Sequence, residues 1–138
     1  MSTAVPSREE ISRLCDAYLD AVSAHDPDAV VALFAEDAQQ QEPVGSPPRV
    51  GHAEIRAFFE DSNDIPFRLT RFGPINVVGN RAAFQVLVEI DTPQGQVRMT
   101  TIDTIVVNEE CLISELLAFP DRETDPTDSP GARLVLAS

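Results

Sequence analysis

Long apolar runs are absent from this chain of 138 residues and 15.0 kDa: no stretch approaches the ~18 residues of a membrane span, which excludes spanning helices. Basic residues are scarce too. Ten Lys plus Arg stand against 23 Asp plus Glu, and the resulting formal charge of -13 repels phosphate backbones and anionic lipid surfaces alike. Neither nucleic acid nor a membrane is therefore an expected partner. Cysteine is reduced to Cys15 and Cys111, both inside apolar segments and without metal-ligand spacing, so neither a disulfide framework nor a zinc site is expected. There is no internal repeat. The opening Met-Ser-Thr-Ala followed by Pro6 lacks the basic and apolar regions of a secretion signal, and the expectation is a cytoplasmic protein with reduced thiols. What remains is 43% hydrophobic and 24% charged, the composition of one globular domain with a single core.

Helical periodicity dominates the first half. Ser7-Arg8-Glu9-Glu10 is a capping-box pattern, and Ile11, Leu14, Cys15, Tyr18, Leu19 and Val22 then recur at helical intervals up to His25. Asp26-Pro27 stops that helix and starts a shorter one, whose buried stripe is Val30, Val31, Leu33 and Phe34. Glu42-Pro43-Val44-Gly45-Ser46-Pro47-Pro48 forbids regular helix and reads as a loop or strand end. Ile55, Phe58 and Phe59 place a third helix over His52 to Ser62.

From Pro66 the period becomes two. Gly73-Pro74 marks a bend and Gly79-Asn80 a hairpin turn. Phe84, Val86, Val88 and Ile90 form one face of a strand that ends at Thr92-Pro93-Gln94-Gly95. Val97, Met99, Thr101, Asp103, Ile105 and Val107 share a face of the next strand, and a last one covers roughly Leu112 to Phe119 after a turn at Asn108-Glu109-Glu110. Residues 7–119 then make the core of one domain, with 120–138 an extended or mobile tail. Helices first and antiparallel strands afterwards predict an α+β fold: three helices on a strongly curved, mostly antiparallel sheet, closing as a cone around an apolar pocket.

Three residues stand out chemically. Asp103 sits on an otherwise apolar strand face, where burial favours the protonated form and makes the carboxyl a hydrogen-bond donor, unless it turns outward or meets a backbone amide. Tyr18, the sole tyrosine, lies on the apolar stripe of the first helix, where its ring packs the core and its hydroxyl needs a partner. Glu42 is kept out of helical conformation by Pro43, and the proline-rich loop behind it can fix the carboxylate at a pocket rim, although most of the 23 acids must be ordinary surface groups.

The run from Tyr18 through Phe34 and Ala35-Glu36-Asp37-Ala38, then Glu42-Pro43-Val44-Gly45-Ser46, Gly51, Ile55-Arg56, Phe58 and Ile102-Asp103 resembles the bacterial ketosteroid isomerases. The resemblance covers about residues 11–119 and fits without a gap over 82–108. It implies a steroid Δ5-isomerase that needs no cofactor and no metal, with Glu42 as the proton-shuttling carboxylate. Tyr18 and Asp103 become the two oxyanion-hole donors, Asp103 as a carboxylic acid kept neutral by its apolar site, a feature for which the family is known. It further implies a homodimer, an apolar steroid as partner, and a cavity wall that includes Phe84, Val86, Val88, Ile90 and Phe119 beside Phe58. Three positions depart from the family. Glu42 is a methylene longer than the usual aspartate, Phe59 replaces a tyrosine that backs the oxyanion hole, and Glu115 either points inward near Asp103 or marks a shifted register after Asn108. The alternatives are a polyketide cyclase or epoxide-hydrolase-like enzyme on the same fold, and a non-catalytic steroid-binding or dimerisation module. Against the hydrolase, Arg98 falls on the strand face opposite Asp103. His25 and His52, near helix ends, read as ordinary surface histidines.

Overall fold

The computed structural model describes residues 5–62, 64–121 and 123–124. Helix α1 (Arg8–Ser23) begins with a complete capping box: the Ser7 hydroxyl accepts from the Glu10 N–H at 3.1 Å, and the Ser7 N–H donates to the Glu10 carboxylate at 2.9 Å. All six residues of its apolar stripe are buried. Helix α2 (Pro27–Val31) is capped by Asp26, whose carboxylate accepts from the Ala29 N–H at 3.1 Å. It is shorter than the sequence pattern suggests. Leu33 has left the helix, Phe34 opens strand β1 (Phe34–Gln41), and the Ile113 N–H donates to the Leu33 carbonyl at 2.8 Å. That strand is a correction to the sequence reading. Its residues, Phe-Ala-Glu-Asp-Ala-Gln-Gln-Gln, are poor strand formers, and pairing with a distant partner decides their conformation.

A two-residue strand, β2 (Arg49–Val50), pairs with β1, and helix α3 (His52–Asp61) follows. Gly51 makes that junction with φ +87°, a backbone conformation that a side chain would strain, while its N–H donates to the Ala38 carbonyl. Long strands come next: β3 (Phe67–Val78), β4 (Arg81–Thr92), β5 (Gly95–Val107) and β6 (Ile113–Asp121). The Gly73-Pro74 bend interrupts pairing between Phe72 and Asn76 without ending β3. Strand β6 reaches past Phe119 to Asp121, with Pro120 paired to Thr101, so the predicted tail starts later than 120; its remainder, 125–138, lies outside the described residues.

The six strands form one curved, open sheet in the order β2-β1-β6-β5-β4-β3, antiparallel except for the β1–β6 pair. The chain is thus α+β, and the sheet ends in two edge strands, β2 and β3. Helix α1 is fastened to β3 by Arg71, which donates to Asp16 at 2.8 Å and to the Gly73 carbonyl, and by Ser23 against the Leu69 backbone. One core joins the helices to the inner sheet face, with Ile11, Ile55, Phe84, Val86, Ile105, Ile113 and Leu116 buried at its centre. Leu116→Ala should therefore cost about 2–5 kcal/mol of stability in urea unfolding, the range for an aliphatic core side chain whose site cannot collapse.

The register of β6 decides the Glu115 question. Val107 pairs with Ile113 but Val106 pairs with Glu115, so Ser114 is an extra residue, and its hydroxyl donates to the Val106 carbonyl at 3.1 Å. After this bulge Leu116 and Ala118 face inward, whereas Glu115, Leu117 and Phe119 face outward. Phe119 is 46% exposed opposite an equally open Ile102. No helix of the described residues is long and apolar enough to cross a membrane.

Candidate active site

Alternation along β5 puts Thr101, Asp103, Ile105 and Val107 on the buried face, as the sequence pattern predicts. Asp103 is 3% exposed, and its single hydrogen-bond partner among the described residues is the Thr101 hydroxyl, which donates to Oδ1 at 3.1 Å. Tyr18 enters from the middle of α1, 2% exposed, its ring set edge-on to Phe34 and Phe59 at 5.9 and 6.3 Å between centroids. Glu42 follows the last residue of β1. The loop behind it is pinned to β6 where the Val44 N–H donates to the Ala118 carbonyl at 2.9 Å, and is closed by the Ser46 hydroxyl donating to the Pro43 carbonyl.

These three side chains line one cavity of about 170 Å³. Most of its remaining wall is apolar, with Val22, Phe58, Phe59, Leu69, Val88 and Met99 prominent, and Ile65, Phe67, Ile90 and Pro120 also bordering it. A wider hollow of about 600 Å³ lies between Pro6 and the Asn108–Glu110 turn, but it is lined largely by polar surface groups and holds no buried titratable cluster. The chemistry belongs to the smaller cavity. Of the wall residues expected from sequence, Phe58, Val88 and Ile90 border it. Phe84 and Val86 do not, because they lie nearer the start of β4 and fill the core beneath. Phe119 does not either: the Ser114 bulge turns it outward and brings Pro120 to the wall instead.

Burial dominates the electrostatics. It pushes Asp103 up to about 7, against a smaller opposing pull from the Thr101 hydroxyl. It pushes Glu42 up to about 8, helped by the Asp103 charge and opposed by Arg49 and the Gln40 amide. Glu42 is half-buried at the cavity wall, which moderates the shift. The upward direction holds for both. Both carboxyls border the same cavity and the Asp103 charge acts on Glu42, so the two titrate as one coupled pair. Burial, then the charges of Glu42 and Asp103, raise the Tyr18 hydroxyl well above its ordinary value and keep it a donor. Cys15, held up to about 12 mainly by burial, stays a thiol.

The raised pair has a consequence for folding. Between roughly pH 4, where unfolded carboxyls ionise, and about 8, the native protein binds more protons than the unfolded chain, so these groups subtract stability as the pH rises. Asp103→Asn should remove the Asp103 share of that slope and lessen that of Glu42, which the Asp103 charge helps to raise. The variant's melting temperature should exceed that of the unsubstituted protein at pH 9 and match it near pH 5, as read by calorimetry across that range.

The sequence reading missed other residues near the site. Thr101 and Met99 share the inward face with Asp103 and were legible from parity. Gln40 and Arg49 were not, since β1 and β2 were unseen. His52 donates to the Phe34 carbonyl at 2.8 Å, His25 packs against Phe67, and Arg98 lies beside Glu89 at 3.9 Å; none of these borders the cavity.

An α+β chain with helices on a curved sheet and acids in a small apolar cavity belongs to the SnoaL-like family, whose domain matches residues 15–116. Within it the chain is ketosteroid isomerase-like: it is 30% identical over 110 residues to a steroid Delta-isomerase of Nocardioides simplex, covering 80% of this chain and 89% of that protein. Among solved structures it is similar to SalBIII, described as an epoxide hydrolase/cyclase-like enzyme with a role in pyran ring formation in the polyether salinomycin. The TM-score is 0.76 over 83% of this chain and 93% of that one, and at 22% identity the likeness shows the fold alone.

Proposed function

We propose that the protein is an isomerase that converts 5-ene-3-ketosteroids into 4-ene-3-ketosteroids. The observation that carries this reading is the meeting of Tyr18, Glu42 and Asp103 in one largely apolar cavity, in a chain with a steroid isomerase relative. The substrate's keto oxygen lies between the Tyr18 hydroxyl and protonated Asp103. Glu42, as the carboxylate, takes a proton from carbon 4; the electron pair of that bond enters the ring system and charge gathers on the keto oxygen as a dienolate. Two uncharged donors already aimed at that oxygen stabilise the charge better than water, which must reorient. Glu42 then returns the proton to carbon 6, and the double bond now joins carbons 4 and 5. The charges balance at every step, because the proton that leaves carbon 4 is the one that arrives at carbon 6.

Bound ligand also settles where a single proton shared by the two carboxyls sits. A keto oxygen accepts hydrogen bonds and donates none, so it favours the form with Asp103 protonated and Glu42 ionised. The cavity encloses less volume than the few hundred Å³ typical of whole small-molecule sites, which fits enclosure of the reacting ring with the remaining rings emerging past Ile65 and Pro120. A homodimer through the outer sheet face, where Ile102 and Phe119 are open, belongs to the same proposal.

A second reading, an epoxide-opening or cyclising enzyme, draws on one observation: two carboxyls that line one cavity can supply both an acid and a base. Mixing the protein with 5-androstene-3,17-dione and following conjugated enone absorbance separates the readings. Rapid enone formation supports the isomerase. Steroid binding without turnover sinks it in favour of a carrier, and neither binding nor turnover directs attention to epoxide substrates.

A further inference from the structure

Gln40 is completely buried, yet among the described residues neither its amide nitrogen nor its oxygen has a hydrogen-bond partner. Across the β1–β2 pair it is in register with Arg49, whose NH1 is likewise buried and unpartnered, and whose guanidinium lies 4.2 Å over the Phe58 ring. An unpaired buried amide costs about 1–3 kcal/mol, so the fold alone would favour Leu or Met beside the equally buried Leu116. Two residues along the chain stands Glu42, which feels both the Gln40 amide and the Arg49 charge. The amide lies beside that carboxyl without completing a hydrogen bond of ordinary geometry.

We infer that Gln40 and Arg49 are positioning residues for Glu42, an edge-strand pair that draws the shared proton off Glu42 and onto Asp103 and then holds the freed carboxylate for its task. The exchange is balanced: Glu42 gives up one proton, Asp103 takes it, and the net charge of the pair is unchanged. Ionisation turns the Glu42 carboxyl into a stronger acceptor, which the Gln40 N–H is free to meet because it has no other engagement. The groups facing Glu42 are few. Asp103 from β5 pushes the proton toward it, Arg49 from β2 pulls the proton away, and Tyr18 from α1 stays neutral; α3 and β6 contribute Phe58, Phe59 and Pro120 to the cavity, none of them titratable. The catalytic part of this inference rests on the isomerase reading; the control of the proton does not.

The test is carbon-13 NMR of side-chain carboxyls in the full-length protein without ligand, with Glu42 assigned by the signal lost in Glu42→Gln. Arg49→Met should raise the midpoint of Glu42 titration by about one pH unit or more, and Arg49→Lys, which keeps the charge, should restore most of it. Gln40→Met should raise the midpoint by less while leaving the melting temperature equal or higher, a combination that a residue serving only the fold would not give. A Glu42 midpoint unmoved in both Met variants would overturn the inference even if the enzyme isomerises steroids normally. Should the midpoint move in a protein that turns over no ketosteroid, the inference stands and the isomerase reading falls.

Discussion

Glu42→Gln should lower the isomerisation of a 5-ene-3-ketosteroid by about two to four orders of magnitude, the usual worth of a positioned general base. The substitution preserves volume and keeps a polar group at the cavity wall while removing the only charge proposed to accept the carbon-bound proton. Binding of a 4-ene-3-ketosteroid product should change little, because its keto oxygen is held by Tyr18 and Asp103. Stopped-flow absorbance for turnover and calorimetry for binding check the two halves. Turnover equal to that of the unsubstituted protein would remove Glu42 from the mechanism.

The second large effect belongs to Asp103. Asp103→Leu deletes a donor at the place where charge develops and should cost about 10²–10³ in kcat. Asp103→Asn keeps a donor, the amide N–H, and should lose markedly less. It should also move the pH dependence of turnover, because Asp103 no longer titrates near 7 and no longer raises Glu42. The inward-facing leucine fits an apolar strand face and should leave the fold intact, which thermal melts of both variants would verify. Equal losses in the two variants would count against hydrogen bonding as the role of Asp103.

Much of this arrangement was written in local pattern. The capping box at Ser7, the stripe from Ile11 to Val22 and the strict alternation from Val97 to Val107 each reflect a single periodicity, and each element formed as its pattern requires. Tyr18 and Asp103 were conspicuous because a polar group on an apolar face is costly wherever it occurs. Strand β1 was illegible for the opposite reason: Glu-Asp-Ala-Gln-Gln-Gln has no strand preference, and its conformation is imposed by β6, far along the chain. Gln40 was hidden with it. The inversion of Phe119 and Pro120 had the same character, since one extra residue at Ser114 exchanges the two faces of everything after it, and a bulge leaves no mark in hydrophobic alternation.

The β1–β6 pairing bears on the order in which the molecule takes shape. Strands β3, β4 and β5 are joined by tight turns, so their contacts close short loops and can form early, whereas β1 must find β6 across nearly all the intervening chain and loses the most freedom in doing so. The segment that carries Glu42 is thus expected to lock last during folding and, backed on its other side by a two-residue edge strand, to open first when the native state fluctuates, which amide hydrogen exchange along β1 would check. Asp103 rests on the β3–β5 part expected to assemble early, and Tyr18 on the helix that Arg71 and Ser23 fasten to it. On the proposed mechanism, a partly opened molecule would then keep its pair of proton givers while lacking the group that draws a hydrogen from carbon, so it would grasp a ketone without being able to transform it.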